Sequence, residues 1–418
     1  MKSPRSQTQV LAAPRIPRTV WVLAWVSFFT DVSTEIIYPL LPVFLTVTLG
    51  ASVAFLGLVE GIAESTASLL KIASGWWSDR LGRRKPLMVA GYGLSALTRP
   101  LIAIAATGAH VLGARIIDRI GKGIRTAPRD ALLAASVPRE QRGAAFGIQR
   151  AMDNAGAVVG PLIAWTLLTW FTGDFRMLFW IATAPMAVAL GVLILGAKER
   201  RAPAELSLSS TLSSSPSAPP GARAADFKPT RAFKNYLGAV LLFTLGNSSD
   251  AFLLLRAQSV GIPVNSLPLL WMALNIVKSL SSYPAGVLSD RIGRRGLIAG
   301  GWGVYAAVYL GFGFASEAWH IWALFIAYGI FHGMTESTER ALVADYFPDA
   351  QRGRAFGWFN AVTGIGALPA SLMMGWLWNR FSPTVAFGAG AALSLAAVAW
   401  LLLKVAPQPV DIKDHTRA

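Results

Sequence analysis

SDRLGRR (residues 78–84) returns 211 residues later as SDRIGRR (289–295), and QRGAAFG (141–147) returns 210 residues later as QRGRAFG (351–357). Two echoes whose offsets agree within one residue mean that the chain is two copies of one pattern, and a repeat of this kind constrains the architecture more than any local propensity. A weaker echo pairs STE (33–35) with SSD (248–250). Between the copies lies ELSLSSTLSSSPSAPPGARAADFK (205–228), whose Ser, Pro and Ala content reads as a flexible linker.

Each copy is built from apolar runs. Of 418 residues, 54% are hydrophobic and only 14% charged, with 15 Trp and 21 Phe, which is far from the balance of a soluble domain. A bilayer core of roughly 30 Å needs about 20 apolar residues in a helix. Twelve such runs fall near 19–49, 53–77, 86–108, 110–137, 143–172, 176–196, 235–261, 264–288, 296–315, 318–346, 354–378 and 382–405. The formal charge of +16 is concentrated in alternate loops: Arg80, Arg83, Arg84 and Lys85 follow the second run, Lys198, Arg200 and Arg201 the sixth, and Arg291, Arg294 and Arg295 the eighth. The intervening loops, such as Gly50–Ser52 and Thr107–Ala109, carry almost none, so the positive-inside bias places both termini and the linker in the cytoplasm of a bacterial-type inner membrane. The expected organisation is a cytoplasmic tail (1–18), a six-helix bundle (19–196), a linker (197–234), a second bundle (235–405) and a tail (406–418). The first run is too long for a signal-peptide core and no A-x-A-like site follows it, so it is expected to be a retained helix.

With the repeats and the spans in place, the chain resembles the major facilitator superfamily of transporters over all twelve spans. Gly75, Asp79, Arg80, Gly82, Arg83 and Arg84 match that family's loop signature G-x-x-x-D-R-x-G-R-R, and Gly286, Asp290, Arg291, Gly293, Arg294 and Arg295 match it again. The resemblance implies an all-α membrane protein of twelve transmembrane helices in two pseudo-symmetric six-helix bundles, with these loops gating one end. Asp130, at the end of the fourth span, joins that gating set. Gly147, Gly156, Gly160 and Pro161 reproduce the pattern G-x8-G-x3-G-P of the family's proton-coupled exporters, although Ala164 and Trp165 replace its terminal Gly pair. Physically, Gly156 and Gly160 lie one helical turn apart and permit close approach of a neighbour, while Pro161 adds a bend.

The fourth span is the anomaly. Arg115, Asp118, Arg119, Lys122, Arg125 and Arg129 recur at steps of three and four and therefore share one helix face, opposite Ile116, Ile117, Ile120 and Ile124. Each central charge costs about 2.5–3.5 kcal/mol against lipid, so the five from Arg115 to Arg125 would cost roughly 12–18 kcal/mol there. Such a face must meet water or partners. Candidate partners lie at similar depth: Asp31 and Glu35 in span one, Glu60, Glu64 and Lys71 in span two, Arg99 in span three, and Arg150, Asp153 and Asn154 in span five. The second half is sparser, with Asp250 and Arg256 in span seven, Asn275 and Lys278 in span eight, and His332 and Glu336 in span ten. Where the first half ends its fourth span with Arg129 and Asp130, the second has Glu339 and Arg340, so the signs are exchanged.

Two readings of these charges stand side by side. They either form buried pairs that fix helix register, or they make a substrate and proton pathway. A desolvated carboxylate near the midplane can bind and release a proton, for which Asp31, Glu35, Glu64 and Asp250 have suitable depth. The excess of bases on span four favours a small polar, anionic or zwitterionic solute. The family's R-x-x-Q-G-x-G pattern falls on Arg119, Lys122, Gly123 and Arg125, with Lys in place of Gln and Arg in place of the second Gly. Most Trp residues, including Trp21, Trp165, Trp170 and Trp319, lie near span ends and read as interfacial anchors. Tyr38, between Glu35 and the helix-bending Pro39 and Pro42, is the exception.

No Cys occurs, so disulfides and thiolate metal sites are excluded, and the four His residues match no metal spacing. No phosphate-binding loop or dinucleotide fingerprint appears, so neither an enzyme nor an ATP-driven pump is expected. The expectation is a monomeric secondary transporter that needs no cofactor beyond a proton gradient, whose partners are a small-molecule solute and the lipid bilayer and not nucleic acid. Proton-driven export of a small polar solute or drug by antiport is the leading expectation. Proton symport of an organic anion and a transport-inactive receptor or scaffold are the alternatives.

Overall fold

The structure is a computed structural model that describes residues 16–81, 84–138, 141–170, 174–197, 229–347 and 349–406. Gly82, Arg83, most of both tails (1–15 and 407–418) and nearly all of the linker lie outside the described residues. So do the side chains of residues 71–81 and of Asp290, which removes Lys71, Asp79 and Arg80 of the sequence-derived set from structural comment, as well as Gly75.

Twelve membrane helices follow in order: α1 (Arg18–Thr48), α2 (Val53–Leu81), α3 (Arg84–Ala103), α4 (Gly108–Ala135), α5 (Arg142–Trp170), α6 (Phe175–Gly196), α7 (Arg231–Ser259), α8 (Leu267–Ile292), α9 (Arg294–Phe314), α10 (Ala318–Asp345), α11 (Asp349–Arg380) and α12 (Pro383–Lys404). Among the described residues, eight of them are long and apolar enough to cross a bilayer by length and composition alone. The other four, α3, α4, α8 and α10, carry polar and charged residues such as Arg99, Arg115, Lys278 and Glu336, which lowers their mean hydropathy.

Three of the spans are interrupted, and each interruption is chemically satisfied. In α1 the α-helix ends at Ile37 because Pro39 cannot donate a ladder bond, and a new helical segment starts at Leu41–Val43 with Pro42 in its first turn. In α6 the ladder breaks at Ala182, whose carbonyl accepts from Ser33 Oγ at 2.7 Å. In α7 it breaks at Asn247–Asp250, and the freed Gly246 carbonyl accepts from the Tyr305 hydroxyl at 2.9 Å. Backbone released from a helix at membrane depth survives only with such partners.

The two bundles pack alike. In the first, α1 lies on α5 and α6, and α4 on α2 and α3; in the second, α7 lies on α11 and α12, and α10 on α8 and α9. Between bundles, α2 packs on α11 and α5 on α8, contacts that the pseudo-twofold exchanges. The repeated motifs have a common structural role at the face where α1 begins and α12 ends. Arg84 and Arg142 donate to the carbonyls of Ala131 (3.0 Å) and Ala134 (3.3 Å) in the last turn of α4. Arg294 and Arg352 donate to Ala341 (2.6 Å) and Ala344 (3.1 Å) in the last turn of α10. Cations there satisfy orphan carbonyls and oppose the negative end of the helix dipole. Lys85 and Arg295 do the same for the ends of α6 and α12, through Ile194 and Ala197 (both 2.7 Å) and through Leu402. The structural partner of Arg84 is therefore Arg294, not Arg295, a register one residue off the literal motif match. Gly293, at φ 85°, makes the tight turn between α8 and α9 in a conformation that disfavours any other residue.

Candidate functional site

The charged face of α4 is its buried face. Arg115, Asp118, Arg119 and Arg125 are buried, whereas Ile116, Ile117, Ile120 and Ile124 are partly exposed toward the perimeter. This inverts the amphipathic helix of a soluble protein, as expected where the surroundings are hydrocarbon. Along its length the charged face divides in two.

The half of α4 nearer Gly108 is committed to pairing. Arg115 Nη2 donates to both oxygens of Glu60, at 2.6 and 2.8 Å. Asp118 pairs with Arg99 at 3.1 Å, and Arg99 also donates to Ser33 Oγ (3.1 Å) and Thr34 Oγ1 (3.0 Å), tying α1, α3 and α4 together. Arg119 is buried beside them, its Nε without a hydrogen-bond partner. The equivalent core of the second bundle is built on tyrosine hydroxyls, with the Asp250 carboxylate among their partners, and not on Arg–Asp pairing. Tyr309 stands where Arg99 stands and Tyr328 where Asp118 stands; Tyr305 and Tyr309 stack with centroids 4.1 Å apart, and Tyr309 meets Ser248 at 3.1 Å. Tyr328 donates to Asp250 at 2.6 Å.

The other half of α4 faces a cavity of about 1010 Å³ between the bundles. It extends from Glu35 in mid-α1 to Asp130, Phe146, Gly147, Arg340 and Phe356 near the helix ends at the face carrying the α1 start. Six cations line it (Lys122, Arg125, Arg129, Arg150, Lys278 and Arg340) against four carboxylates (Asp31, Glu35, Asp130 and Asp153), a surplus of two positive charges among the lining residues that falls to one when Glu336, the partner of Lys278 and Arg150, is counted. The acids all belong to the first bundle. The second contributes Asn275, Lys278, Arg340, Phe356, Phe359 and Asn360, an aromatic and cationic wall. Several cations are braced: Arg125 donates to Ser95 (2.7 Å) and stacks over Tyr92 (4.4 Å to the ring centroid), and Arg129 pairs with Asp130 (3.0 Å) and reaches Ser27 (3.3 Å). Lys278 holds Glu336 at 2.7 Å.

Asp31 and Glu35 occupy their wall because α1 and α5 touch backbone to backbone. A Cβ on Gly156 would lie 2.7 Å from the Phe28 carbonyl oxygen and 2.9 Å from Asp31 Cβ; one on Gly160 would lie 2.8 Å from Glu35 Cβ. Pro161 follows within the same helix. Gly147, by contrast, has open space around it.

Toward the opposite face the bundles are closed on each other. Trp271 of α8 donates its indole N–H to Glu35, and its ring lies 4.9 Å from that of Tyr38. Ser249 of α7 donates to Glu60 at 3.1 Å. Along α2 and α11, a Cβ on Gly61 would come within 3.0 Å of Leu368 Cα, and one on Gly375 within 2.8 Å of the Val53 carbonyl oxygen.

Of the sequence-derived pathway set, the structure brings Asp31, Glu35, Lys122, Arg125, Arg150 and Asp153 to the cavity wall. Glu60, Arg115, Asp118 and Asp250 lie in the paired layer, and Glu336, which does not line the cavity, pairs with the lining cations Lys278 and Arg150. Glu64 is exposed on α2. Arg256 sits at the far face, where it donates to the Phe312 (2.9 Å) and Ala315 (2.8 Å) carbonyls and caps α9. Among the residues expected to gate, Asp130 lines the cavity, Arg84, Arg294 and Arg295 are the helix caps above, Gly286 is half-buried on α8, and Arg291 is exposed in its last turn. Trp271 and the Phe356–Asn360 wall were not singled out from sequence. Trp271 lies four residues into α8, where a Trp reads as an interfacial anchor, yet the break in α1 places Tyr38 against it.

The family model described as Major Facilitator Superfamily matches residues 23–255 and again 236–417. An MFS-type transporter of Methanocaldococcus jannaschii is 32% identical over 393 residues, covering 93% of this chain and 95% of the relative. The multidrug resistance protein MdtH of Photorhabdus laumondii is 30% identical over 154 residues, 37% of either chain. Among solved structures, a POT family transporter in complex with 5-aminolevulinic acid superposes with a TM-score of 0.72 at 13% identity, covering 92% of this chain and 96% of that one.

Proposed function

The chain belongs to the Major Facilitator Superfamily of membrane transporters, and on that premise we propose that it is a proton-coupled secondary transporter that exports a small anionic solute by antiport. That it is a multi-pass membrane transporter and not an enzyme follows from the family; the coupling, the direction and the charge of the solute are the proposal. The observation that carries it is the cavity itself, which lies between two bundles closed at one end, holds the carboxylates Asp31 and Glu35 and has two more cations than acids along its wall. A surplus of positive charge in a low-dielectric cavity draws anions, and a desolvated carboxylate beside it takes up or yields a proton at modest cost. The G-x8-G-x3-G-P run that seats α5 against these two acids and the partial similarity to a multidrug resistance protein both support export.

In this reading the face rich in Arg and Lys is cytoplasmic, by the positive-inside bias, and the structure stands inward-facing. Rocking about the α2–α11 and α5–α8 seams opens the Glu35–Trp271 and Glu60–Ser249 closures and shuts the cytoplasmic mouth. Equivalent positions that both line the cavity, as Asp130 and Arg340 do, approach each other when the two bundles close over its mouth. Equal charges would repel there. The exchange of signs between Arg129–Asp130 and Glu339–Arg340 makes the meeting attractive, with Asp130 and Arg340 as the closing pair.

Proteoliposomes with an imposed pH gradient test the proposal. Solute moving against the proton flow is expected; solute moving with it would make the protein a symporter, and no movement of any solute would leave a transport-inactive receptor. Glu35→Gln is expected to remove the dependence of flux on the gradient while the protein still folds, and an unchanged dependence would remove Glu35 from the proton path.

A further inference from the structure

One carboxylate, bonded to two cations of the cavity wall, is held from both bundles at once. Glu336, on α10, accepts from Lys278 of α8 through Oε2 at 2.7 Å and from Arg150 of α5 through Oε1 at 3.4 Å. Lys278 belongs to its own bundle and Arg150 to the other. The two cations are therefore spaced to receive the two oxygens of a single carboxylate, and both line the cavity. They remain reachable: the side chains of Lys278 and Glu336 are each 33% exposed and that of Arg150 is 60% exposed. The site holds two cations and one anion, so it is one positive charge in excess.

We infer that Arg150 and Lys278 form a carboxylate clamp that bridges the bundles, filled in this conformation by Glu336 and taken over by the carboxylate of a monoanionic, aromatic or otherwise apolar solute. The solute claims Arg150, the longer and more exposed of the two contacts, and shares Lys278 with Glu336, which brings the site to neutrality. A fork of guanidinium donors suits this exchange, because it binds a carboxylate through parallel N–H donors. The apolar body is accommodated by Phe356 and Phe359, which line the same cavity from α11. Amide groups of Asn275 and Asn360 add hydrogen-bonding capacity without adding charge. Because the clamp draws one cation from each bundle, an occupied clamp couples ligand binding to their relative position. The inference rests on the transport reading and specifies its solute class.

The test uses the purified full-length protein in detergent, with sodium benzoate as the probe, benzamide as its uncharged counterpart and sodium chloride to match ionic strength. Binding is followed by intrinsic tryptophan fluorescence and by calorimetry. Benzoate is expected to bind and benzamide not. Glu336→Gln removes the internal competitor and leaves the site with two unopposed cations, so it is expected to bind benzoate about tenfold tighter, or about 1.4 kcal/mol. Lys278→Gln and Arg150→Gln are each expected to weaken benzoate at least tenfold, and Arg150→Lys to recover part of the loss. The Lys278→Gln/Glu336→Gln double variant removes one charge of each sign and serves as the control for folding. Equal binding of benzamide, or no gain in Glu336→Gln, overturns the clamp. So does an absence of benzoate binding in both the wild type and Glu336→Gln, whatever the flux assay gives. Gradient-driven flux of some other solute in those same preparations would then leave the transport reading standing and the clamp alone refuted.

Discussion

Arg99 shows how a single side chain can hold a membrane bundle together. The residue is 3% exposed and its guanidinium gives hydrogen bonds to Ser33, Thr34, Thr98 and Asp118, so that three helices converge on one charge. Removing one partner of a buried pair costs about 3–5 kcal/mol because the other charge is left uncompensated, whereas removing both can be close to neutral. Arg99→Leu and Asp118→Leu are each expected to lower the melting temperature in detergent markedly, and the double variant to lose less than the sum of the two. Additive losses would show that the pair is not a unit. The Tyr305–Tyr309–Tyr328 group of the second bundle fills the equivalent place with hydroxyls that meet the Gly246 carbonyl, Ser248 and the Asp250 carboxylate, so the position is satisfied there without an Arg–Asp pair. The pairing itself was not legible in the chain: Arg99 and Asp118 are 19 residues apart on different helices, and only their rotation about those helices aims them at each other.

At the scale of elements, the transporter's geometry depends on where helices are allowed to touch. Gly156 and Gly160 let α5 reach the backbone of α1, and that contact sets the wall on which Asp31 and Glu35 stand. Gly156→Val is expected to destabilise the protein by about 2 kcal/mol or more through overpacking, seen as a reduced folded yield and melting temperature. Gly147→Ala, nine residues earlier in the same motif, meets open space and is expected to change stability by less than about 0.5 kcal/mol. Equal effects of the two would refute the packing account of the motif. The spacing of these glycines and the position of Pro161 are visible in the sequence. Which glycine bears the contact is not, since that depends on the face α1 presents. The breaks of α1 and α7 divide the same way: Pro39 and Pro42 announce the first, while the second carries only the weaker turn signal of NSSD (247–250) and is stabilised by the Tyr305 hydroxyl from another helix.

For the molecule as a whole, the asymmetry between the repeats matters as much as their similarity. Four arginines from the repeated motifs cap α4 and α10 alike, so the ends of those helices are built as a matched pair. Onto that pair the sequence places opposite charge orders, Arg129–Asp130 and Glu339–Arg340. Asp130→Arg and Arg340→Asp are each expected to reduce proteoliposome flux about tenfold or more by putting like charges at the closing mouth, at about 1.4 kcal/mol per factor of ten. The double exchange is expected to restore most of it. A double variant no better than the singles would show that the two residues do not meet during the cycle.

The number of spans, the twofold repeat, the family and the alternation of basic loops were fixed by the chain alone, because hydropathy, motif spacing and loop charge are properties of consecutive residues. The sequence also determined that α4 could not face lipid, since the desolvation of its charges is prohibitive in any arrangement. It did not determine what those charges face. One half of the stripe is spent on Glu60 and Arg99 and the other half lines the cavity, and Glu336 is held by cations from two bundles. Each of these outcomes depends on helices far apart in the chain lying at one rotation and one height, and only the packed tertiary structure sets those two quantities.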